Sequence, residues 1–181
     1  MAGLSLSFSY ESAPGAKGRL PSARSASERV GFDAHRPTLV LFAHPHCPCT
    51  RATLDELERL LARAGDKVEA VVYFYSNEGV GGMQRRSALR ERAHAMPGVV
   101  VRDDPDGRIA ADMGALTSGQ VHLWSPGGEL LFEGGITVSR GHAGDNVGVA
   151  ALAAILDGRE PAVRSTLVHG CRIHDEGPDE S

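Results

Sequence analysis

Residues 39–43, Leu-Val-Leu-Phe-Ala, form an unbroken apolar run that Pro45 closes. A short run apolar on both faces fits a central parallel strand better than an edge. From Pro48 the period changes. Leu54, Leu57, Leu60 and Leu61 recur at helical spacing, Asp55 and Arg59 pair one turn apart on another face, and Gly65 stands where a helix stops. The spacing predicts a helix of about five turns. Further on, 67–76 reads as a strand, 83–96 as a helix, 98–104 as a strand and 107–113 as a short helix. Residues 120–136 read as a hairpin around Pro126-Gly127-Gly128, and the mostly apolar 147–156 as a last helix. Alternation first and a hairpin late predict an α/β domain, a mixed sheet with helices on both faces.

Residues 1–35 are rich in Ser, Ala, Gly, Pro and Arg without a sustained period, and read as a flexible arm. The domain is expected over 36–158. A tail over 159–181 carries Cys171 and ends in acidic Asp-Glu-Gly-Pro-Asp-Glu-Ser, expected to be disordered at its tip.

A chain of 181 residues suits one domain with a real core. Its 19 basic and 23 acidic residues are mixed along the chain, which leaves no electrostatic footprint for nucleic acid. No apolar run reaches the roughly 20 residues that span a bilayer, and the first residues lack the apolar stretch of a signal peptide. Proteins or small molecules are the expected partners. Three cysteines exclude a small disulfide scaffold, and one sulfur at least is free, metal-bound or transiently paired.

Two of those cysteines flank Pro48 where strand gives way to helix. With Pro48 as the first helical residue, Cys47 becomes the N-cap, its sulfur aimed at the amides of Cys49 and Thr50. Those amides and the positive helix end favour a thiolate. A disulfide across one intervening residue closes a small, constrained ring, easily reduced. Residues two apart on a helix point to nearly opposite sides, so the two sulfurs meet only because Cys47 still lies in the loop.

These features resemble a thioredoxin-superfamily domain of the TlpA and peroxiredoxin-like branch. The resemblance is carried by the strand Thr38–Cys47 running into a cysteine at a helix start, by residues 100–115, which look like that branch's inserted strand and helix, and by the hairpin 121–136. More narrowly the chain is similar to bacterial RedB-like proteins, in His-Pro-His-Cys-Pro-Cys, in the Gly134–Asn146 stretch and in a late Gly-Cys. The resemblance implies a thioredoxin-like three-layer sandwich with a mixed central sheet, a C-terminal hairpin and a closing helix. It also implies thiol–disulfide oxidoreductase activity without a cofactor, acting on protein or small-molecule thiols and disulfides. Catalytic sulfurs would be Cys47 and Cys49, with Cys171 as a resolving third. The pattern departs from the family in three places. Cys-Pro-Cys has one spacer where two are usual, His46 replaces a Trp, and Thr117-Ser118-Gly119 stands at the cis-proline loop without a proline. The Thr of a peroxidatic Pro-x-x-Thr-x-x-Cys motif is missing as well, which argues against a peroxidase.

The alternative reading is metal binding or delivery. Imidazole and thiolate suit copper, zinc or an iron–sulfur centre, and His44, His46, Cys47, Cys49 and Cys171 are the candidate ligands, with His169 and His174 nearby in the tail. Strand alternation would put His44 and His46 on one face. The blander reading makes the tail histidines solvated and Cys171 a small apolar residue packed on the sheet. In the loop 134–146, Arg140 is a candidate holder of a thiolate or anionic substrate and His142 a candidate proton carrier, against a glycine-rich turn bonded only to itself. Asp103, Asp104 and Asp106 read as turn chemistry, the Arg-rich 84–92 as a solvated face, and Trp124 as hairpin packing. Domains of this branch are often tethered outside the bacterial inner membrane, so a periplasmic or extracytoplasmic setting is expected, with any membrane tie made through an anchor outside this sequence. A cytoplasmic setting follows if the chain is complete.

Overall fold

The computed structural model describes residues 13–77 and 87–173. Five strands form one sheet in the order β3-β2-β1-β4-β5. They are β1 (Thr38–Ala43), β2 (Glu69–Ser76), β3 (Val99–Pro105), β4 (Gln120–Trp124) and β5 (Leu130–Gly135). β1 is central, parallel to β2 and antiparallel to β4. β3 extends the parallel side and β5 the antiparallel side.

Period-two alternation along β1 builds two cores. Leu39, Leu41 and Ala43 pack with Leu54, Leu57 and Leu60 of α2 (Pro48–Ala64), Ala93 of α3 (Ala88–Ala95) and Leu152 of α5 (Val147–Leu156). Val40 and Phe42 face the other way, onto Ala26 and Val30 of α1 (Ala23–Val30) and Ala110 of α4 (Arg108–Asp112). Helices thus cover both faces of a mixed sheet, a thioredoxin-like three-layer sandwich. Full burial of β1 is why its sequence is apolar without interruption from Leu39 to Ala43. Among the described residues, no helix is long and apolar enough to cross a membrane.

The arm and the tail differ most from the sequence reading. Within the arm, Ser22 caps α1 by accepting from the Ser25 amide, Gly31 ends it in the left-handed region, and Ala26 and Val30 are buried. Two apolar residues one turn apart are enough for so short a helix, and too few to show a period. Asp55 reaches Arg92 of α3 rather than Arg59, which bonds Glu56. The strand expected from 67 begins at Glu69, after a 3-10 turn over Gly65–Lys67. Ser87 caps α3, and positions 83–86 of the helix expected there lie outside the described residues.

The tail is bound along the sheet edge. The Glu133 amide donates to Arg164 O at 3.0 Å, the Thr166 amide to Glu133 O at 3.1 Å, and the Thr166 hydroxyl to Gly135 O at 2.7 Å. It then crosses the loop before β4, where the Ser118 amide donates to Cys171 O at 2.8 Å and the Ile173 amide to Leu116 O at 3.0 Å. Val168 and Ile173 are buried. This course covers the edge of β5, whose backbone groups would otherwise be open to pairing. It needs glycine at three places: a Cβ on Gly134 would stand 2.6 Å from Thr166 O. A Cβ on Gly135 would stand 2.6 Å from Leu167 O, and one on Gly170 would collide with Ser118 O.

Candidate functional site

β1 ends at Ala43, the chain turns through His44–His46, and Cys47 enters α2 as its N-cap with Pro48 at the first helical position. Cys47 has extended backbone angles and makes no side-chain cap bond. The Thr50 amide goes instead to the Cys47 carbonyl, at 3.0 Å. Of the two amides expected to face the sulfur, that of Thr50 is turned to the carbonyl, while that of Cys49 still favours the thiolate. The Cys47 sulfur lies 3.0 Å from Cys171 Sγ, across 124 residues of chain. All three cysteine sulfurs lie within 4.8 Å of one another. Cys47 and Cys49 are only 2% and 5% exposed, whereas Cys171 is partly exposed.

Proximity sets the charges. The Cys49 thiol, and then the Cys171 thiol and the amides of Cys171 and Cys49, favour a Cys47 thiolate and pull its pKa down to about 4 against the cost of burial. Cys49 moves the opposite way, raised by its hydrogen bond to Cys47, by burial and by the neighbouring sulfurs' charge. Burial and the Cys47 sulfur push Cys171 up to about 11, partly countered by the Arg140 guanidinium. The cluster at neutral pH therefore holds one thiolate and two thiols.

Thr117-Ser118-Gly119 crosses beside this cluster. Ser118 Oγ accepts from the His44 amide at 2.9 Å and shares a 2.9 Å hydrogen bond with Thr50 Oγ1, which itself donates to His44 O at 2.9 Å. The loop is thereby tied to the start of α2. Thr117 donates its hydroxyl to Ala16 O at 2.7 Å, and the Gly119 amide donates to Phe42 O at 2.8 Å. There is no cis peptide among the described residues. The loop 136–146 approaches from the other side. Arg140 Nη1 donates to Gly170 O, holding the tail next to Cys171, and the Gly141 amide faces Cys49.

The histidines are not brought to the sulfurs. His46 is exposed and donates its amide to His44 Nδ1 at 3.3 Å, while the His44 ring stacks on Tyr75. Both follow the end of β1, so strand alternation does not apply to them. Among the described residues, the cluster with metal-ligand geometry contains Cys47, Cys49 and Cys171 alone. His142 is exposed, with Nδ1 against Arg140 O and Ser139 Oγ, a turn bonded to itself. His169 lines a separate hollow of about 580 Å³ between the tail and the start of α5, and His174 lies outside the described residues. Asp104 accepts from the amides of Ile109 and Ala110 at the start of α4, consistent with turn chemistry.

One supporting residue escaped the sequence reading. Glu56 is 3% exposed, accepts from Arg59 at 2.7 Å and from the Gly144 amide at 2.6 Å, and so fastens the Arg140 loop to α2. Its signal was its position seven residues after Cys49, on the same helical face. A hollow of about 570 Å³ opens beside Cys171, lined also by Pro14, Gly15, Ala16, Thr117, Arg140, Gly170 and Arg172.

Fold and site together define a thioredoxin-like domain with a three-cysteine cluster at the β1–α2 junction. No family model matches the sequence, and no curated protein does. Solved structures do. A hypothetical protein from Sinorhizobium meliloti 1021 is 21% identical with a TM-score of 0.61, over 91% of this chain and 96% of that one. An uncharacterized conserved protein from Geobacillus kaustophilus is 19% identical with a TM-score of 0.62, over 92% and 90%. At these identities the likeness is one of fold.

Proposed function

We propose that this protein is a thiol–disulfide oxidoreductase whose redox pair is Cys47 and Cys171, with Cys49 as hydrogen-bond donor to the Cys47 thiolate. The observation that carries this reading is the 3.0 Å approach of the Cys47 and Cys171 sulfurs, at a site where Cys47 is held as a thiolate. Disulfide formation needs a further approach of about 1 Å, within reach of a rotamer adjustment. A Cys47–Cys49 bond would close a far smaller ring. Exchange proceeds by attack of a thiolate on a disulfide sulfur, and it needs no cofactor. Its substrates are thiols and disulfides. An extracytoplasmic setting, where disulfides persist, suits it.

Peptide mapping of protein oxidised by mild disulfide, with intact mass before and after dithiothreitol, tests the reading. A Cys47–Cys171 link, two hydrogens lighter and reversibly reduced, is the expected result. Failure of any pair to form would refute it. A second reading, a soft-metal site, is favoured by the three sulfurs within 4.8 Å of one another, which suit copper(I) or zinc without histidine. Metal retained stoichiometrically on gel filtration, with all three thiols protected from alkylation, is the outcome that would put it first.

A further inference from the structure

We infer that Ser118 is a positioning residue of the exchange site: through a closed ring of hydrogen bonds with Thr50 and His44 it holds the tail against the start of α2, and so sets the approach of Cys171 to Cys47. The inference rests on the oxidoreductase reading above. The two sulfurs belong to segments 124 residues apart in the chain, so their contact needs something fixed between them. Ser118 stands there, fully buried. Its backbone serves the tail. The Ser118 amide donates to Cys171 O at 2.8 Å, and its carbonyl lies so close to Gly170 that a Cβ there would collide with it. Its side chain serves the segment of Cys47, with Oγ 2.9 Å from the His44 amide and 2.9 Å from Thr50 Oγ1.

The proton positions in this ring follow from counting. The His44 amide can only donate, and it donates to Ser118 Oγ. Thr50 has one hydroxyl proton and gives it to His44 O at 2.9 Å. The Ser118 proton therefore goes to Thr50 Oγ1, and each hydroxyl donates once and accepts once. Thr50 is as fully buried as Ser118, and bonds that polarise one another in such a site form a stiff unit. The ring is joined to Cys47 through its backbone. The His44 carbonyl also accepts the Cys47 amide at 3.3 Å, and the Thr50 amide donates to the Cys47 carbonyl at 3.0 Å. Ser118 thus carries bonds to both redox segments and acts as the spacer between their sulfurs. Opening the ring lets the tail shift against α2, and the sulfurs then spend less time within bonding reach.

Oxidation of the reduced protein by hydroxyethyl disulfide over a range of concentrations tests the inference. The reagent first caps one cysteine: a bond forms between a protein sulfur and a reagent sulfur, the reagent's own disulfide breaks, and one small thiolate leaves. The other cysteine then attacks the capped protein sulfur and expels the second small thiolate, closing Cys47–Cys171, or is itself capped by a second reagent molecule. In either case the Cys171 proton passes to a released thiolate. Intact mass and peptide mapping after acid quenching separate the two products. The reagent concentration giving equal amounts of each measures the effective concentration of one sulfur at the other. Ser118→Ala loses both side-chain ties and should lower that concentration about tenfold, and Thr50→Val, which loses one, about threefold. Thr50→Ser keeps the hydroxyl and should stay within about twofold of the unmodified protein. Adding Thr50→Val to Ser118→Ala should lower it no further, since the ring is already open. Asp104→Ala, a loss of buried hydrogen bonds on β3 with β2 between it and β1, should leave the partition unchanged. An unmoved partition in Ser118→Ala, or one moved as far by Asp104→Ala, overturns the inference while leaving the oxidoreductase reading intact. A protein that closes no internal disulfide at any reagent concentration sinks that reading instead.

Discussion

Joining Cys47 to Cys171 has two opposed effects on folding stability, and pH separates them. Closing a loop across 124 residues restricts the unfolded chain by about 5 kcal/mol in the loop-entropy account. Oxidation also removes the Cys47 thiolate, which the folded state favours. Its pKa falls from 9.0 to about 4 on folding, so the reduced protein gains stability as pH rises from about 4 towards 9 and loses it as pH falls through 4. Cys49 and Cys171 are raised, stay protonated below 9 in both states, and add nothing in that window. At pH 7 the thiolate gain spans about three pH units at about 1.4 kcal/mol each, or about 4 kcal/mol. The two forms should therefore be nearly equal in stability at pH 7, and the oxidised form more stable by about 4 kcal/mol at pH 4.5. Paired thermal unfolding scans of oxidised and reduced protein from pH 4.5 to 7.5 check this, with a gap in Tm of about 8–16 °C at the acid end closing towards neutrality. A gap that does not change with pH would refute the thiolate argument. A small gap at pH 4.5 would refute the long loop, since a Cys47–Cys49 ring gains at most about 2 kcal/mol before strain.

Three further outcomes test the frame around the sulfurs. Gly170→Ala should drive the tail off Ser118 and raise the pKa of Cys47 without altering any cysteine, read as slower iodoacetamide alkylation at pH 6. His122 is fully buried, and burial, with Lys17 in second place, lowers its pKa from 6.5 to about 4. The unfolded chain therefore takes up this proton first on acidification, so about 3 kcal/mol of stability should be lost between pH 6.5 and 4; His122→Leu should flatten that part of a urea-midpoint titration. Asp104→Ala removes the acceptor for two amides at the start of α4 and should cost about 1–2 kcal/mol, read in the same urea experiment with an unchanged m-value.

What could be read from the sequence was whatever local periodicity records. β1 is apolar from Leu39 to Ala43 because it is buried on both faces, and α2 shows its leucines because one face of it packs on the sheet. The position of Cys47 ahead of Pro48 was equally legible, since proline at a first helical position fixes the boundary. The tail was not. Much of its hold comes from backbone pairings with Glu133, Leu116 and Ser118, and its two buried apolar residues, Val168 and Ile173, are too few to show a period. Gly134, Gly135 and Gly170 are the residues that make room for it, and a glycine records permission without naming the visitor. The histidines misled for a related reason: alternation predicts faces only while the strand lasts, and β1 stops at Ala43.

On the proposed reading, Cys-Pro-Cys differs in meaning from what its spacing suggests. Cys49 is buried and kept protonated, and its principal effect is to stabilise the Cys47 thiolate. A thiol so placed lowers the barrier to losing Cys47 from a disulfide, because it stabilises the charge that appears on the leaving sulfur. The same protonation works against a three-thiolate metal site. Loading it would displace protons from Cys49 and Cys171, both held above the ordinary thiol range. Only a strongly thiophilic ion would compete at neutral pH, and its affinity would climb steeply with pH as two protons are released. On the proposed reading, disulfide exchange takes one proton from Cys171 and none from Cys49, whereas a three-thiolate site takes both.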